Sequence, residues 1–579
     1  MGSTVCDIKL ETLLEYYSTR FARDDHSGCD TIQEAEATVS QRYEEIKDNM
    51  ELNYVITKSM ILAHLSKLRT GCAAGIDGIT AEHLKWAKDS RILPTICCML
   101  TLCIRFGIVP DSFTKGLLIP LLKKPNIDPT IPKHYRPIVI SSTFSKLLEI
   151  LILDACGEHE FHDLQFGFVE SRGTAMAAAL THDVIDYCTS NNSPVYVCAL
   201  DAEGAFDGIP HAIIFLKAMD AIPVMHWRIL VYWYSRLVVF VKWGDHMSEA
   251  LSVCKGTRQG GLSSPFIFNL LYQGLVEKLS QKQCGISING VSYNLCCYAD
   301  DLLLCSLSIT GLQTLIDEAN YYIKQHGLRF NPAKTKCITF GKSSFHDRLW
   351  NLEGTLLEES DHVSHLGVIL SDNPRRHTDS RIKAAKRAFY ALQGAGLCTN
   401  GSSPDTIAHI FSTAVRPVLL YGLESVHQSK QAKKDAEILQ GKLLKAALGL
   451  KTYSRNSPLL QALKIPSVGQ SIELQELTLF RSMFLSRSRS QRFYKFLLTQ
   501  RFKGCKLSKR NILHRILNSC DKYDIAFYDY ICTKSYLKGI KRDLKKYTED
   551  GIADSVSYIL QTYASQNDRS LLNALLSPF

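Results

Sequence analysis

The stretch Leu295-Cys-Cys-Tyr298-Ala-Asp300-Asp301-Leu-Leu-Leu304 contains two short apolar runs that meet at a pair of acids. This pattern predicts a β-hairpin with both carboxylates at its tip. Because adjacent carboxylates repel each other, a protein that keeps them ionised needs a cation beside them. Ligands that are all oxygen atoms favour magnesium or manganese. The stretch therefore predicts a divalent-cation site on a hairpin, within a fold that contains strands.

A second apolar strand also ends on an acid. Val195-Tyr-Val-Cys-Ala-Leu200 runs into Asp201 and continues to Phe206 and Asp207. If Asp201 lies beside the hairpin tip, three carboxylates can hold two divalent ions roughly 3.5 to 4 Å apart. That arrangement stabilises both the attacking and the leaving oxygen in phosphoryl transfer. An Asp-Asp pair alone is common in turns, so this interpretation depends on the motifs around it.

Length and composition indicate several globular domains. The chain has 579 residues, of which 46% are hydrophobic and 21% charged, which is ordinary for packed proteins. The longest apolar stretch, Ile229 to Val241, contains Arg236 and is too short to span a bilayer, so we expect no membrane partner. The N-terminus lacks the pattern of a secretory signal. The 19 cysteines lack the paired spacing of zinc sites, so we expect buried thiols in a reducing compartment.

Positive charge is concentrated towards the C-terminus. Residues 481–550 carry 18 Lys or Arg against 6 Asp or Glu, whereas the rest of the chain has 49 basic and 51 acidic residues. Aromatic residues such as Phe493, Tyr494 and Phe502 lie among these cations. Cations that neutralise phosphates beside rings that stack on bases are typical of nucleic-acid binding. The alternative is a solvated helical face, and the sequence alone leaves both open.

Periodicity predicts an α+β protein. Residues 193–370 alternate apolar strands with helices, and the chain is helical again after about residue 375. The strands that we predict there are Val195–Leu200, Ile286–Tyr293, Leu295–Tyr298, Leu302–Leu307 and Cys337–Phe340.

Further motifs occur in a fixed order along the chain, and they are Gly75-Ile-Asp77-Gly78, Tyr135-Arg136-Pro137, Gln165-Phe-Gly-Phe168, Asp201 with Ala205-Phe206-Asp207, Arg258-Gln259-Gly260 with Ser264-Pro265, Tyr298-Ala-Asp300-Asp301, Asn331-Pro332 with Lys334-Thr335, and His365-Leu-Gly-Val368. In these motifs the sequence resembles the reverse transcriptases of non-LTR (LINE-type) retrotransposons, over roughly residues 60–450. The resemblance implies a right-hand polymerase fold with fingers, palm and thumb and a helical basic C-terminal region. The implied segments are an acidic helical segment at 1–50, fingers with the entry to the palm at 51–192, a palm at 193–370, a helical thumb at 375–450 and the basic region at 451–579.

The resemblance also implies an activity, RNA-directed DNA polymerisation. The partners would be an RNA template, a DNA primer or target and deoxynucleoside triphosphates, with two divalent cations, magnesium or manganese, as cofactors. Asp201, Asp300 and Asp301 would be the catalytic residues and the metal ligands. Action in the nucleus is implied by the family, and the sequence gives no other indication of location.

The resemblance assigns nucleotide-binding roles to five further residues. Lys123 and Arg136 would clamp the triphosphate, Arg136 through its bidentate fork and Lys123 as a point charge. Phe206 would fill the space beside the sugar and so exclude a 2′-hydroxyl. Gln259 would lie against the nucleotide and template. Lys334 would lie near the pyrophosphate leaving group as a general acid.

The sequence departs from the family at two positions. A lysine usually stands where this chain has Gly204, and a small polar residue where it has Glu203, so we expect more negative charge near the metals. Neither family endonuclease pattern fits this chain, so we interpret it as a fragment of a longer element or a degenerate copy. Two alternatives stay open: an RNA-dependent RNA polymerase, against which Phe206 and Tyr298 argue, and an inactive palm that serves as an RNA-binding scaffold.

Overall fold

The computed structural model describes residues 8–24, 29–49, 53–89, 91–124, 127–258, 260–342, 350–396, 402–486, 488–522, 527 and 531. The chain folds into two compact units. Unit 1 comprises Met1–Phe168, Leu200–Leu279 and Ile316–Lys334, and unit 2 comprises Val169–Ala199, Ser280–Leu315 and Thr335–Phe579. Both units mix helices and strands, which confirms the expected α+β class.

The helices of the described residues are α1 Leu10–Phe21, α2 Asp30–Ile46, α3 Lys58–Lys67, α4 Ala81–Trp86, α5 Ile92–Phe106, α6 Asp111–Thr114, α7 Thr143–Ala155, α8 Thr174–Ser190, α9 Ala205–Gly208, α10 His211–Ala218, α11 Val224–Tyr234, α12 Ser264–Ser280, α13 Ile309–Gln325, α14 Arg376–Gly394, α15 Pro404–Ile410, α16 Arg416–Leu420, α17 Lys430–Ala447, α18 Asn456–Ala462, α19 Val468–Leu485, α20 Arg489–Phe502 and α21 Ile512–Lys522. Short 3₁₀ turns occur at Ala87–Asp89 and Pro132–His134. A π-helical turn, Phe411–Val415, joins α15 to α16.

The strands are β1 Lys115–Leu122, β2 Tyr135–Ser141, β3 Val195–Leu200, β4 Val238–Trp243, β5 His246–Ser252, β6 Ser287–Ile288, β7 Val291–Ser292, β8 Leu295–Tyr298, β9 Asp301–Ser306, β10 Lys336–Phe340, β11 Asn351–Leu352, β12 Thr355–Leu356, β13 Glu358–Glu359, β14 Val363–His365 and β15 Val368–Leu370. They form a four-stranded sheet, a five-stranded sheet and three two-stranded ribbons.

Unit 1 is built around the four-stranded sheet β2-β1-β4-β5. Strands β1 and β2 pair antiparallel, β1 and β4 pair parallel, and β4 and β5 pair antiparallel. Buried and less buried residues alternate along β1 and β2, as expected for a sheet with one face in a core. Helix α1 covers that face, and its Leu13, Tyr17 and Phe21 share a core with Leu118 and Val239 of the sheet. The N-terminal segment is therefore part of the fold of unit 1.

Unit 2 contains the five-stranded sheet β13-β10-β3-β9-β8. The predictions of Val195–Leu200 and Leu295–Tyr298 as strands are confirmed residue for residue. Strand β9 is shifted by one residue at both ends from the predicted Leu302–Leu307, and β10 begins one residue before the predicted Cys337–Phe340. Strand β3 is buried along nearly its whole length, as its continuous apolar run requires. Strands β3 and β10 pair antiparallel, as do β8 and β9.

The prediction of a single strand over Ile286–Tyr293 is wrong. This segment forms a tight hairpin in which Ser287 of β6 pairs with Ser292 of β7. The two residues at the turn, Asn289 and Gly290, have φ values of 51° and 73°. A type I′ turn needs positive φ at both central positions, and Asn-Gly is its preferred sequence. The turn signal of Asn289-Gly290 therefore outweighs the strand signal of the apolar residues around it.

The described part of the C-terminal basic region is helical and packs into unit 2. Phe493 and Tyr494 of α20 are 1% and 0% exposed, so the prediction that these two rings stack on bases is wrong. The Tyr494 hydroxyl donates a hydrogen bond to Asp183 of α8 at 3.1 Å, and the Ile512 backbone amide donates to the same carboxylate at 3.0 Å. Phe502, in contrast, is 63% exposed. Residues 532–579 lie outside the described residues.

Several cysteines lie within the five-stranded sheet. Cys198, Cys296 and Cys337 are buried there, and the cysteines of the described residues are free thiols. Burial raises the pKa of the Cys296 thiol to about 12. Because the thiolate is the reactive form, these side chains behave as small apolar residues.

None of the helices described combines the length and the apolar character that crossing a bilayer requires.

Candidate active site

The acidic pair lies at a two-residue hairpin turn in unit 2. Tyr298 of β8 pairs with Asp301 of β9, which leaves Ala299 and Asp300 as the turn. Ala299 adopts a φ of 55°, a left-handed conformation that a residue with a side chain seldom takes outside tight turns. Asp300 is half-buried and Asp301 is exposed. The hairpin therefore presents both carboxylates at its tip, as the sequence predicts.

His365 supports this turn from the ribbon β14–β15. Its ring is buried and hydrogen-bonds to the backbone of Asp301, and burial lowers the pKa of the ring to about 4. His365 is therefore neutral at physiological pH, so it contributes a hydrogen bond without adding positive charge beneath the carboxylates. The sequence marked the motif His365-Leu-Gly-Val368 but gave no role for the imidazole.

Asp201 lies in unit 1 and is paired with Lys334. The Lys334 Nζ donates to Asp201 Oδ2 at 3.0 Å, and the two side chains are 63% and 37% exposed. Backbone bonds fix the geometry, because the Asn331 amide donates to the Asp201 carbonyl at 2.8 Å and Ala202 forms a β-bridge with Phe330. The turn from Asn331 to Lys334 thereby brings the predicted cation to the predicted carboxylate across more than 130 residues.

Lys123 and Arg136 lie at the same end of the β1–β2 hairpin. Lys123 follows β1 directly and Arg136 is the second residue of β2. Both side chains are exposed. Partial burial, then the charges of Arg20, Lys334 and Arg136, lower the pKa of Lys123, with Asp207 opposing them. The predicted nucleotide-binding cations thus form one electrostatic cluster in unit 1, and it includes Arg20, which sequence reasoning missed.

Phe206 follows Asp201 by five residues and is half-buried. Its ring stacks on Phe268 of α12, with centroids 4.1 Å apart and planes 10° apart, and meets the edge of Phe168 at 6.1 Å. The Thr257 amide donates to the Phe206 carbonyl at 2.7 Å. A Cβ on the neighbouring Gly256 would lie 2.7 Å from the Asp207 backbone, so only glycine allows this approach. Phe206 is therefore packed on one side and partly exposed on the other.

The loop that carries Gln259 is anchored by a buried ion pair. Gln259 itself lies outside the described residues. The preceding Arg258 bonds through Nη2 to Glu149 of α7, a side chain with no exposed surface, and its guanidinium lies 4.1 Å from the Trp233 ring. Glu149 also accepts hydrogen bonds from the Ser263 hydroxyl at 3.0 Å and the Leu262 amide at 2.9 Å. One carboxylate therefore fixes both sides of the loop.

The expected excess of negative charge after Asp201 is offset in unit 1. Arg20 of α1 binds Asp207 at 2.5 Å, and its Nη2 lies 3.2 Å from the place that a Cβ on Gly204 would take. Glu203 accepts a hydrogen bond from Asn331 at 3.0 Å and lies 3.7 Å from the Arg329 guanidinium. Arg20 and Arg329, from distant parts of the chain, thus lie beside Asp207 and Glu203 and offset their negative charge.

The three predicted metal ligands belong to different parts of the fold. Asp201 belongs to unit 1, whereas Asp300 and Asp301 belong to unit 2. Carboxylate oxygens suit magnesium or manganese. Within the described ranges no three His, Cys, Asp or Glu side chains are grouped as a complete metal cage. Magnesium in polymerase sites is typically held by one or two carboxylates together with substrate phosphates.

Comparison with known proteins shows what the central part of the chain is similar to. Residues 122–370 match the family model described as reverse transcriptase (RNA-dependent DNA polymerase). The chain is 23% identical over 465 residues to a probable RNA-directed DNA polymerase from transposon BS of Drosophila melanogaster, covering 75% of this chain and 50% of that protein. It is 23% identical over 440 residues to the RNA-directed DNA polymerase from mobile element jockey of Drosophila funebris, covering 72% and 46%.

A third relative is the Pol polyprotein from the retrotransposable element R2DM of Drosophila melanogaster, 26% identical over 317 residues, covering 52% of this chain and 29% of that protein. The chain spans about half the length of the first two relatives. The matched region includes the predicted carboxylates Asp201, Asp300 and Asp301 and the cations Lys123, Arg136 and Lys334. Residues 122–370 therefore match a reverse transcriptase domain, and the relatives named here are proteins of non-LTR (LINE-type) retrotransposons.

Proposed function

We propose that this chain is an RNA-directed DNA polymerase that extends a DNA primer on an RNA template with deoxynucleoside triphosphates. In this proposal residues 51–192 are the fingers, 193–370 the palm and 375–450 the thumb. The observation that carries it is the grouping, in unit 1, of a carboxylate and several cations, which are Asp201, Lys334, Lys123 and Arg136. Phe206 follows Asp201 by five residues in the same unit. Cations suit the binding of a triphosphate, and an aromatic ring suits packing against a deoxyribose.

Asp201, Asp300 and Asp301 are the proposed ligands of two divalent cations. Bound there, the cations would neutralise charge on the attacking and leaving oxygens of the phosphoryl transfer. Lys334 now balances the charge of Asp201 with an ion pair that is largely solvated. Such exposed pairs contribute only about 0–1 kcal/mol, so Lys334 can leave Asp201 at little cost when the carboxylate has another cation.

The side chains of unit 1 have separate tasks in this reaction. Lys123 and Arg136 bind the triphosphate, and Arg136 orients it through a bidentate contact. Gln259 contacts the base pair from a loop that Glu149 anchors. Lys334 protonates the leaving pyrophosphate, because its ammonium lies next to the carboxylate at which bond breaking occurs. Phe206 supports the deoxyribose and fills the volume that a 2′-hydroxyl would need.

Replacing Phe206 with valine should relax the choice of sugar. The ring is stacked on Phe268, and in this proposal a 2′-hydroxyl clashes with it, whereas valine leaves room. We expect the ratio of deoxynucleotide to ribonucleotide incorporation efficiency to fall by about 10- to 200-fold, the range in which a pocket discriminates by small differences in size. Single-nucleotide incorporation kinetics measure this ratio.

The matched control for this variant is Phe268→Leu, which loosens the support of the Phe206 ring and keeps the ring itself. We expect a smaller fall in the ratio for this control. An unchanged ratio in Phe206→Val would mean that Phe206 is only a packing residue.

Primer extension tests the proposed activity as a whole. The chain, an RNA template with an annealed DNA primer and deoxynucleoside triphosphates are combined with magnesium, with manganese or with a chelator. We expect DNA product that depends on the divalent ion and on the RNA template. A folded chain that binds the template and yields no product under any of these conditions would favour the inactive scaffold. Product from ribonucleotides alone would favour an RNA polymerase.

The described basic region offers an exposed surface for nucleic acid at residues 501–510. Arg501, Lys503 and Lys506 are exposed there beside Phe502. We propose that this segment binds phosphates of the template or target, with the ring stacking on a base. Changing the three cations to glutamine should weaken RNA binding and flatten the dependence of log affinity on log salt by about 0.7–0.9 for each phosphate that is no longer neutralised.

A charge-matched control is the triple change of Arg23, Arg42 and Lys47 to glutamine, since these exposed cations lie in or beside α2. Fluorescence anisotropy at several salt concentrations gives both slopes. If the two triple variants flatten the slope equally, the change in net charge explains the effect, and residues 501–510 are not a specific binding surface.

A further inference from the structure

Helix α1 carries an arginine to the residues that follow Asp201. The helix is fixed by its own core contacts, because Leu13, Tyr17 and Phe21 are buried against the four-stranded sheet. Arg20 lies in its last turn. The backbone carbonyl of Phe21 accepts a hydrogen bond from the Cys254 amide at 3.0 Å, which ties the end of the helix to unit 1. The position of Arg20 is therefore set by the fold and not by its own ion pair alone.

Arg20 is hydrogen-bonded to two partners and has further N–H groups that these bonds do not use. Its Nε and Nη2 donate to Asp207 Oδ2 at 3.0 and 2.5 Å, and its Nη1 donates to the Tyr16 hydroxyl at 2.9 Å. Burial alone would lower the pKa of Arg20, but Asp207 and then Tyr16 raise it above its usual value. A guanidinium has five N–H groups, so these three bonds leave two. The Arg20 side chain is 26% exposed, while that of Asp207 is 4% exposed.

Gly204 leaves open the space in front of this guanidinium. Its backbone has a φ of 55° and a Cβ there would lie 3.2 Å from Arg20 Nη2. A side chain at position 204 would therefore compete with the guanidinium for the same volume. Glycine tolerates the left-handed backbone and keeps Arg20 accessible beside the turn that links Asp201 to Phe206.

The charge around Arg20 is unbalanced in favour of cations. The groups that act on Lys123 are Arg20, Lys334 and Arg136 on the positive side and Asp207 on the negative side. With Lys123 itself these are four cations, against two carboxylates, Asp207 and the Asp201 that pairs with Lys334. Such a cluster is stabilised by an anion that carries several charges, because each cation gains from it and none gains from its neighbours.

We propose that Arg20 is a further substrate-binding residue, which contacts the phosphates of the incoming nucleoside triphosphate with the N–H groups that Asp207 and Tyr16 do not use. This inference rests on the proposed function and deepens it, since it adds α1 to the nucleotide site. The competing explanation is a structural clasp, in which Arg20 only stabilises the turn at Asp207.

Four variants separate these explanations. Arg20→Gln removes the charge, Arg20→Lys keeps the charge without the fork, and Asp207→Asn removes the partner. Arg23→Gln is the matched control, because Arg23 is 68% exposed three residues further along and pairs with Glu36. The measurements are KM and kcat for thymidine triphosphate at saturating primer-template, and its Kd by calorimetry in the presence of calcium. Thermal unfolding verifies that each variant is folded.

For Arg20→Gln we expect KM and Kd to rise by about 10- to 100-fold, the range for removal of a hydrogen bond between charged groups. Arg20→Lys should fall between this variant and the unchanged chain, and Arg23→Gln should match the unchanged chain. Asp207→Asn should leave Kd unchanged or lower it, because it removes a carboxylate that competes with the phosphates. An equal rise in Kd for Asp207→Asn and Arg20→Gln would establish the clasp and overturn the proposal.

The outcome is distinguishable from failure of the proposed function. If the unchanged chain incorporates no nucleotide but binds the triphosphate through Arg20, the polymerase proposal fails and the Arg20 contact stands. If the chain polymerises and Arg20→Gln leaves both KM and Kd unchanged, only the Arg20 contact is overturned. If Arg20→Gln does not fold, the comparison of Arg20→Lys with Asp207→Asn decides by the same criterion.

Discussion

Asp201→Asn and Asp300→Asn should each lower the rate of nucleotide incorporation by roughly 100- to 1,000-fold, the effect of removing one electrostatic stabiliser from a transition state. Asparagine has the same shape as aspartate but lacks the charge that holds a divalent ion. Template binding should persist, so the loss should appear in the chemical step measured by single-turnover kinetics. Asp301 is the more exposed member of the hairpin pair, and we expect a smaller effect for Asp301→Asn.

Unfolding does not account for this expected loss. The Asp201–Lys334 pair is largely solvated, so breaking it should cost no more than about 1 kcal/mol. Glu358→Gln is a suitable control, because Glu358 lies on β13 of the same five-stranded sheet and is 60% exposed in a pair with Lys336. It should retain activity within about twofold, as surface changes away from a site usually do. Near-normal turnover in both Asp201→Asn and Asp300→Asn would refute the two-metal proposal.

Glu149→Gln should destabilise unit 1 by about 3–5 kcal/mol, the effect of leaving a buried charge without its partner. Glu149 has no exposed surface and is the ionic partner of Arg258, which is itself 7% exposed. The variant keeps the size of the side chain, so the loss reports the charge and not a cavity. The midpoint of thermal unfolding should fall by about 2–4 °C for each kcal/mol in a unit of this size.

Asp154→Asn provides the comparison for this prediction. Asp154 lies on the same helix, α7, but is 45% exposed and pairs with Lys67 at 3.0 Å. Loss of the Asp154–Lys67 ion pair should lower the free energy of unfolding by at most about 1 kcal/mol. If Glu149→Gln and Asp154→Asn shift the midpoint by the same small amount, the buried pair does not stabilise the loop that carries Gln259. At temperatures where Glu149→Gln is folded, its KM for nucleotide should also rise because that loop is loosened.

Local patterns were sufficient to predict the elements that carry the acids. Strand β3 and the β8–β9 hairpin follow from apolar runs that end on Asp201 and Asp300; β3 and β8 lie at the predicted residues, and β9 is shifted by one residue. Strand periodicity and turn residues are properties of adjacent positions, so they can be read without knowing the fold. Where two local signals conflicted, as in Ile286–Tyr293, the Asn289-Gly290 turn determined the structure.

The sequence could not predict which aromatic side chains of the basic region are buried. Phe493, Tyr494 and Phe502 all lie among cations, yet the first two are core residues of unit 2 and the third is exposed. The difference depends on which face of α20 meets α8, where Asp183 accepts the hydrogen bond from Tyr494. A basic composition is compatible with either position, and only packing distinguishes them.

The sequence by itself predicted the α+β class, the resemblance to reverse transcriptases, and the carboxylates and cations of the candidate site. The tertiary structure decided which distant residues complete that site: Arg20 lies on Asp207 from 187 positions away, and Glu149 anchors Arg258 from 109 positions away. Neither pair has a signature in the sequence, because an isolated arginine or glutamate on a helix resembles any solvated charge. The physical reason is that an ion pair depends on distance in space, and distance in space is set by how the sheet and its covering helices pack.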